Sequence, residues 1–84
     1  MPAYSPPTPP PLGARIRQQR RVLNISQGEL GARLCPPVSH ASVAQVESGK
    51  DGLSVARLLD YARVLQVDPC WLLTGRAATA KESE

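Results

Sequence analysis

The chain has 84 residues, a formal net charge of +3, 42% hydrophobic residues, 20% charged residues and two cysteines. This length allows one small domain and excludes a large enzyme with a separate cofactor domain. No apolar run approaches the roughly 18 residues of a membrane-spanning helix, and the N-terminus lacks the pattern of a secretory signal. Two cysteines are too few for a disulfide framework, so we expect a cytoplasmic protein with reduced thiols.

The positive charge is concentrated in one part of the chain. Residues 15–50 carry six basic and two acidic side chains, whereas residues 51–84 carry four basic and five acidic ones. This distribution favours the binding of a polyanion such as nucleic acid. A solvated surface with a mild basic bias explains the same distribution equally well.

Proline marks the N-terminal boundary of the predicted domain. Six of the nine prolines lie within residues 1–11, which predicts an extended, flexible Pro-rich arm. Residues 76–84 are small and polar and predict a flexible C-terminal tail. Residues 12–75 show helical periodicity and no strand alternation, so we expect a single all-α domain there.

Five helices are predicted from apolar periodicity and capping residues. The first begins at Leu12, and its apolar face continues through Ile16 to Leu23. The other four follow the capping residues Ser26, Ser39, Ser54 and Asp68, each with an apolar residue on either side of the cap. The predicted core comprises Ile16, Leu23, Leu30, Leu34, Val43, Val46, Leu58, Tyr61, Leu65 and Leu72.

The second and third helices carry a more specific pattern. Residues 26–34 read SQGELGARL and residues 38–50 read VSHASVAQVESGK. Together they resemble the Cro and repressor type of helix-turn-helix domain of temperate phages and bacterial regulators. Residues 65–75 resemble the last helix of that family, so the resemblance covers residues 12–75 and implies a compact five-helix bundle similar to the lambda repressor domain. The chain departs from the family at Cys35-Pro36-Pro37, which lengthens the turn by two residues, and at Gly31, where alanine is usual.

The resemblance implies a transcriptional repressor or autoregulator that binds a near-palindromic double-stranded DNA operator as a homodimer. The third helix would enter the major groove and present its N-terminal residues to base edges. The base-reading residues would then be His40, Ala41, Ser42 and Gln45. The phosphate-binding residues would be Gln27, Lys50, Arg21 and Arg17. Arg15 and Arg33 are further candidates, and for all four arginines exposure to bulk water is an equally good interpretation.

Other positions have structural roles in the family. Arg20 and Glu47 would form a partly buried ion pair between the first and third helices. The dimer interface would involve Pro69, Cys70, Trp71 and Leu73, although Trp71 fits a core position equally well. Cys35, His40 and Cys70 lack the spacing of a zinc site, so no metal is expected. We also expect no catalytic residues, cofactor, membrane contact or small-molecule substrate.

Two alternatives to a repressor remain open. Antitoxins and restriction-controller proteins use the same type of domain. A helix-turn-helix that has lost DNA binding can also serve as a protein-interaction module, since a fold does not determine a function. In each case the expected location is the cytoplasm of a bacterium or of a phage-infected host cell, and for a DNA-binding protein the nucleoid.

Overall fold

Five helices account for most of residues 10–76, the part of the chain that the computed structural model describes. They are α1 (Leu12–Val22), α2 (Gln27–Arg33), α3 (His40–Glu47), α4 (Val55–Leu65) and α5 (Pro69–Thr74). Within this range there is no strand, so the predicted all-α fold is confirmed. Most of the predicted arm and tail, residues 1–9 and 77–84, lies outside the described residues.

The helices begin where the capping residues predicted. At α2 the Glu29 amide donates to Ser26 Oγ at 3.0 Å, and the Ser26 amide donates to Glu29 Oε1 at 2.7 Å. This reciprocal pair satisfies two backbone amides that the helix itself leaves without partners. The side chains of the other three capping residues likewise each accept a backbone N–H three residues further on. These four helix starts are thus determined by local sequence.

The predicted core is confirmed almost completely. Nine of its ten residues are buried, and Leu23 is half-buried against the others. Val43 and Val46 direct one face of α3 into this core. The opposite face of α3, which includes Ala41 and Gln45, is therefore exposed.

Arg15 is a buried residue that the sequence did not predict. Only 5% of it is exposed. Its Nε donates to the Leu72 carbonyl at 2.8 Å and its Nη2 donates to the Leu73 carbonyl at 2.7 Å. Its Nη1 donates to the carbonyl of Pro10. Arg15 therefore joins the start of α1 to the end of α5, and the idea that it is available for a phosphate is wrong.

The turn between α2 and α3 lies directly against α2 at Gly31. The Val38 amide donates to the Gly31 carbonyl at 3.0 Å. A Cβ atom on Gly31 would lie 2.4 Å from the Val38 carbonyl oxygen, closer than real Cβ contacts occur. Glycine is needed at this position because the Cβ atom of any other residue would collide with the backbone of the turn. One departure from the family pattern, Gly31, is therefore in contact with the residue that directly follows the other, Cys35-Pro36-Pro37.

Replacing Gly31 with alanine is expected to destabilise the protein, although alanine favours helices by about 1 kcal/mol over glycine. The new methyl group would push the turn away from α2, and such overpacking costs about 1–3 kcal/mol. The measurement is urea unfolding followed by circular dichroism.

Gly28→Ala is the matched control within the same helix. A Cβ there meets only Ser26 Oγ at 3.8 Å and His40 Cβ at 3.9 Å, which are ordinary contacts. This variant should be as stable as the wild type or more stable. If Gly31→Ala gained stability as Gly28→Ala does, the close approach of the turn would be wrong.

Candidate nucleic-acid interface

The exposed face of α3 carries three of the four predicted base-reading residues. His40, Ala41 and Gln45 are exposed, whereas Ser42 is half-buried. The Ser42 amide donates to Ser39 Oγ at 3.2 Å, and the two hydroxyl oxygens are 3.3 Å apart. Ser42 is thus partly engaged in capping α3, while the other three side chains face outward.

Gln27 and Lys50 both lie beside α3. Gln27 is the first residue of α2, and the next residue, Gly28, lies beside His40 at the start of α3. After α3 the chain turns back on the helix, because the Lys50 amide donates to the Gln45 carbonyl at 2.9 Å. The exposed Lys50 is thereby held next to the end of α3. The two predicted phosphate contacts therefore both lie next to α3.

Glu47 connects α1, α2 and α3 through one carboxylate. Arg20 Nε donates to Glu47 Oε2 at 2.7 Å, and Arg20 Nη2 donates to Oε1 at 3.2 Å. Gln27 Nε2 also donates to Oε1, at 3.1 Å. The Glu47 side chain has no exposed surface, and that of Arg20 is 13% exposed. Sequence reasoning paired Arg20 with Glu47, but it gave no indication that Gln27 joins them.

Arg17 and Arg21 are both exposed on α1. Arg17 Nε lies 3.5 Å from Glu47 Oε1, and about half of the Arg17 side chain remains exposed. Arg21 lines a shallow cleft beside Ser26 and Glu29 at the start of α2. Both guanidinium groups are thus on the surface, but Arg17 is partly engaged by the buried carboxylate.

Three carboxyl groups have lowered pKa values. Burial raises the pKa of Glu47, but the hydrogen bonds from Arg20 and Gln27 outweigh it and hold the pKa below the ordinary value. The backbone N–H of Cys35, followed by Arg63, lowers the pKa of Asp60. The backbone N–H of Ser26 lowers the pKa of Glu29. All three groups therefore favour the ionised state in the folded protein.

Acid is consequently expected to destabilise the fold. The ordinary pKa values are 4.5 for Glu47 and Glu29 and 3.8 for Asp60. Near these values the unfolded chain binds more protons than the folded chain, so the free energy of unfolding falls as the pH decreases. The contribution is fully present above about pH 5.5 and is lost progressively below it. The urea midpoint, measured from neutral pH down to about pH 3, should fall in this window, and a constant midpoint would contradict the lowered pKa values.

The predicted dimer residues on α5 divide into two groups. Cys70 and Leu73 are exposed, Leu73 at 56%, and their spacing places them on the same side of α5. Trp71 is half-buried and packs against the core. Pro69 is also half-buried. Trp71 therefore combines core packing with some exposed surface.

Asp60 is a contact residue that sequence reasoning missed. It lies on α4, and its Oδ2 accepts the Cys35 amide at 2.7 Å across 25 positions of sequence. The local signals were the opposite charges of Arg57 three residues earlier and of Arg63 three residues later, and such pairings do not reveal a contact with a distant turn.

Residues 10–76 lack two other classes of site. No group of three or more His, Cys, Asp or Glu side chains there is arranged to hold a metal ion. No helix in this range has the length and apolar character needed to cross a membrane.

Comparison with known proteins places this geometry in a family. The sequence model of the helix-turn-helix family matches residues 16–72. The HTH-type transcriptional regulator DicA of Escherichia coli strain K12 is 38% identical over 64 residues, which are 76% of this chain and 46% of DicA. This chain thus spans about half the length of that curated relative.

Solved structures of the P22 c2 repressor share the fold. Its crystal structure in complex with a synthetic operator superimposes with a TM-score of 0.73 at 33% identity, over 80% of this chain and 98% of the repressor chain. The solution structure of its DNA-binding domain gives a TM-score of 0.75 at 30% identity, over 87% of this chain and 93% of the domain. The sequence and structural matches together show that this chain belongs to the phage Cro and repressor type of helix-turn-helix DNA-binding domains.

Proposed function

We propose that this protein is a transcriptional repressor or autoregulator that binds a near-palindromic double-stranded DNA operator through α3. The observation that carries the proposal is the exposed face of α3, with Gln27 and Lys50 next to the same helix. The P22 c2 repressor, which was solved in complex with a synthetic operator, supports the same function.

The side chains on α3 can make different kinds of contact with base edges in a major groove. The Gln45 amide can donate to and accept from one adenine edge, and the Ala41 methyl can contact a thymine methyl. His40 can donate or accept at a purine N7. Ser42 contributes less, because its hydroxyl lies against Ser39. These contacts are few and uncharged, so DNA shape and phosphate contacts contribute much of the recognition.

Phosphate binding is assigned to Gln27, Lys50, Arg21 and Arg17. Lys50, which follows α3, and Arg21, on α1, are exposed cations. Arg17 would have to share its guanidinium with Glu47, from which it is 3.5 Å away. These contacts fix the position of the protein on the duplex and carry no base information.

The operator-bound form is proposed to be a homodimer. One α3 covers too few base pairs alone, and two copies related by a two-fold axis would read half-sites about 34–36 Å apart. Exposed Cys70 and Leu73 of α5, together with Pro69 and Trp71, would form the interface. The protein would act at the nucleoid in the cytoplasm.

The first test is fluorescence anisotropy with the DNA upstream of the protein's own gene and with a scrambled duplex of equal composition. We expect the upstream duplex to bind at least about a thousandfold more tightly at physiological salt. The logarithm of the affinity should fall linearly with the logarithm of the salt concentration. Equal, weak binding to both duplexes would contradict autoregulation at that site, and selection from random DNA would then find the operator.

Sedimentation of the protein–DNA complex tests the dimer. Two chains per operator duplex are expected, with binding reduced when the spacing between half-sites is changed by half a helical turn. A single chain per duplex would contradict the proposed dimer while leaving DNA binding intact.

A protein-interaction module is the second candidate function. It is favoured by one observation: α3, His40–Glu47, contains no arginine or lysine. If neither duplex binds even at low salt, this candidate replaces the DNA-binding regulator.

A further inference from the structure

Three side chains of α4 bond to the end of α2 and to the turn between α2 and α3. Asp60 Oδ2 accepts the Cys35 amide at 2.7 Å. Arg57 Nη1 donates to the Pro36 carbonyl at 3.1 Å, and Arg63 Nη2 donates to the Arg33 carbonyl at 3.2 Å. The three α4 residues are spaced three apart and share one face of the helix. The turn is therefore bonded to α4 at Cys35 and Pro36, and the last residue of α2 is bonded to α4 at Arg33.

These bonds leave the turn little freedom. Pro36 and Pro37 have no N–H, so the backbone donors of residues 35–38 are those of Cys35 and Val38. The first donates to Asp60 on α4, and the second donates to the Gly31 carbonyl on α2. Each available donor of the turn is thus bonded to a different neighbouring helix.

Asp60 is itself held in place. Arg63 Nη2 lies 2.6 Å from Asp60 Oδ1, and Arg57 Nη1 lies 3.7 Å from Asp60 Oδ2. Only 13% of the Asp60 side chain is exposed. The two arginines beside its carboxylate are the same two that bond to the carbonyls of Pro36 in the turn and Arg33 at the end of α2. The arrangement is a connected network, in which removal of Asp60 loosens all three contacts.

The anchored turn leads straight into α3. Val38 precedes Ser39, the N-cap of α3, and His40 and Ala41 are the first two residues of that helix. A displacement of the turn therefore moves these two side chains first. Gln27 and Lys50 lie outside the turn, with their own bonds to Glu47 and Gln45.

We propose that Asp60, through Arg57, Arg63 and the Cys35–Val38 turn, is a positioning residue that sets the N-terminus of α3 and so determines discrimination between operator and other DNA. The proposal rests on the proposed function. Its signature is a loss of specificity with little loss of general DNA affinity, because the contacts of Gln27 and Lys50 do not depend on the turn.

The test compares Asp60→Ala and Asp60→Asn with the control Asp51→Asn. Asp51 is exposed and, within residues 10–76, its side chain makes no hydrogen bond or ion pair. The control and the two test variants each remove one negative charge, so they raise the net charge of the protein equally. Anisotropy is measured at one salt concentration with the tightest duplex that the wild type selects from random DNA, and with a scrambled duplex. Thermal unfolding by circular dichroism verifies that each variant is folded at the assay temperature.

For Asp60→Ala we expect the ratio of the two affinities to fall about tenfold or more, the loss that corresponds to one misplaced base contact. Its affinity for scrambled DNA should equal that of Asp51→Asn. Asp60→Asn should show a smaller loss, because its amide oxygen still accepts the Cys35 N–H. Asp51→Asn should keep the wild-type ratio.

A folded Asp60→Ala variant with the wild-type ratio would overturn the proposal, as would an equal loss in Asp51→Asn. If Asp60→Ala does not fold, the affinity ratios of Asp60→Asn and Arg57→Gln are measured at reduced temperature instead. Wild-type ratios in both of these variants would overturn the proposal. If the wild-type protein selects no preferred duplex, the proposed function itself is contradicted. That outcome is distinguishable from a loss of specificity that occurs in the variants alone.

Discussion

Glu47→Ala is expected to leave much of the protein unfolded at room temperature. The substitution removes a carboxylate with no exposed surface and leaves the Arg20 guanidinium, 13% exposed, without its charged partner. Breaking a buried pair in this way costs about 3–5 kcal/mol. Small domains have total stabilities of roughly 5 kcal/mol, so most of the stability is lost. The measurement is urea unfolding at neutral pH, with circular dichroism as the probe.

Two further variants separate the charge from the geometry. Glu47→Gln keeps the shape and one acceptor oxygen, so its loss should be smaller than that of Glu47→Ala. The double variant Arg20→Ala with Glu47→Ala should be less destabilised than the sum of the two single variants, because the second substitution removes the charge that the first left unpaired. Additive losses, or a Glu47→Ala protein with the wild-type midpoint, would show that the pair contributes little to stability.

Lys50→Ala is expected to weaken binding to operator and scrambled duplexes by the same factor. Loss of one phosphate contact should reduce the salt slope by about one and the affinity about tenfold. Its effect should add to that of Gln27→Ala, which removes a neutral donor and should leave the slope unchanged. The measurement is anisotropy over a range of salt concentrations. Arg76→Ala, which removes the same charge beyond the end of α5, is the control.

Gln27→Ala also tests a link between the interface and the fold. Gln27 Nε2 donates to the buried Glu47 carboxylate, so its loss should lower the free energy of unfolding as well as DNA affinity. Binding is therefore compared at a temperature where the variant is fully folded. A folded double variant, Gln27→Ala with Lys50→Ala, that keeps the wild-type affinity and salt slope would show that the phosphate contacts lie elsewhere.

The sequence predicted those features that depend on near neighbours along the chain. The caps at Ser26, Ser39, Ser54 and Asp68 act over three residues, and the apolar face of each helix repeats over one or two turns. Such signals are complete within a short window, so the helices and the core could be derived without the structure.

The features that escaped prediction join residues far apart. Arg15 bonds across 57 positions to Leu72, and Asp60 bonds across 25 positions to Cys35. Nothing in the sequence distinguishes Arg15 from the other arginines of α1. It is buried because the end of α5 packs against it. Gly31 was visible as a departure from the family, but glycine is required there because the Val38 backbone lies against it in the folded protein.

The contacts of Arg15 have a consequence for the layout of the whole domain. One guanidinium bonds to Pro10, just before α1, and to Leu72 and Leu73 near the end of α5, so the two ends of the helical domain are neighbours. A short linker could therefore join Arg76 to Pro10, and new termini could open in the exposed stretch 49–52 between α3 and α4. Such a circular permutant would make α4 its first helix and α3 its last, with every helix–helix contact retained.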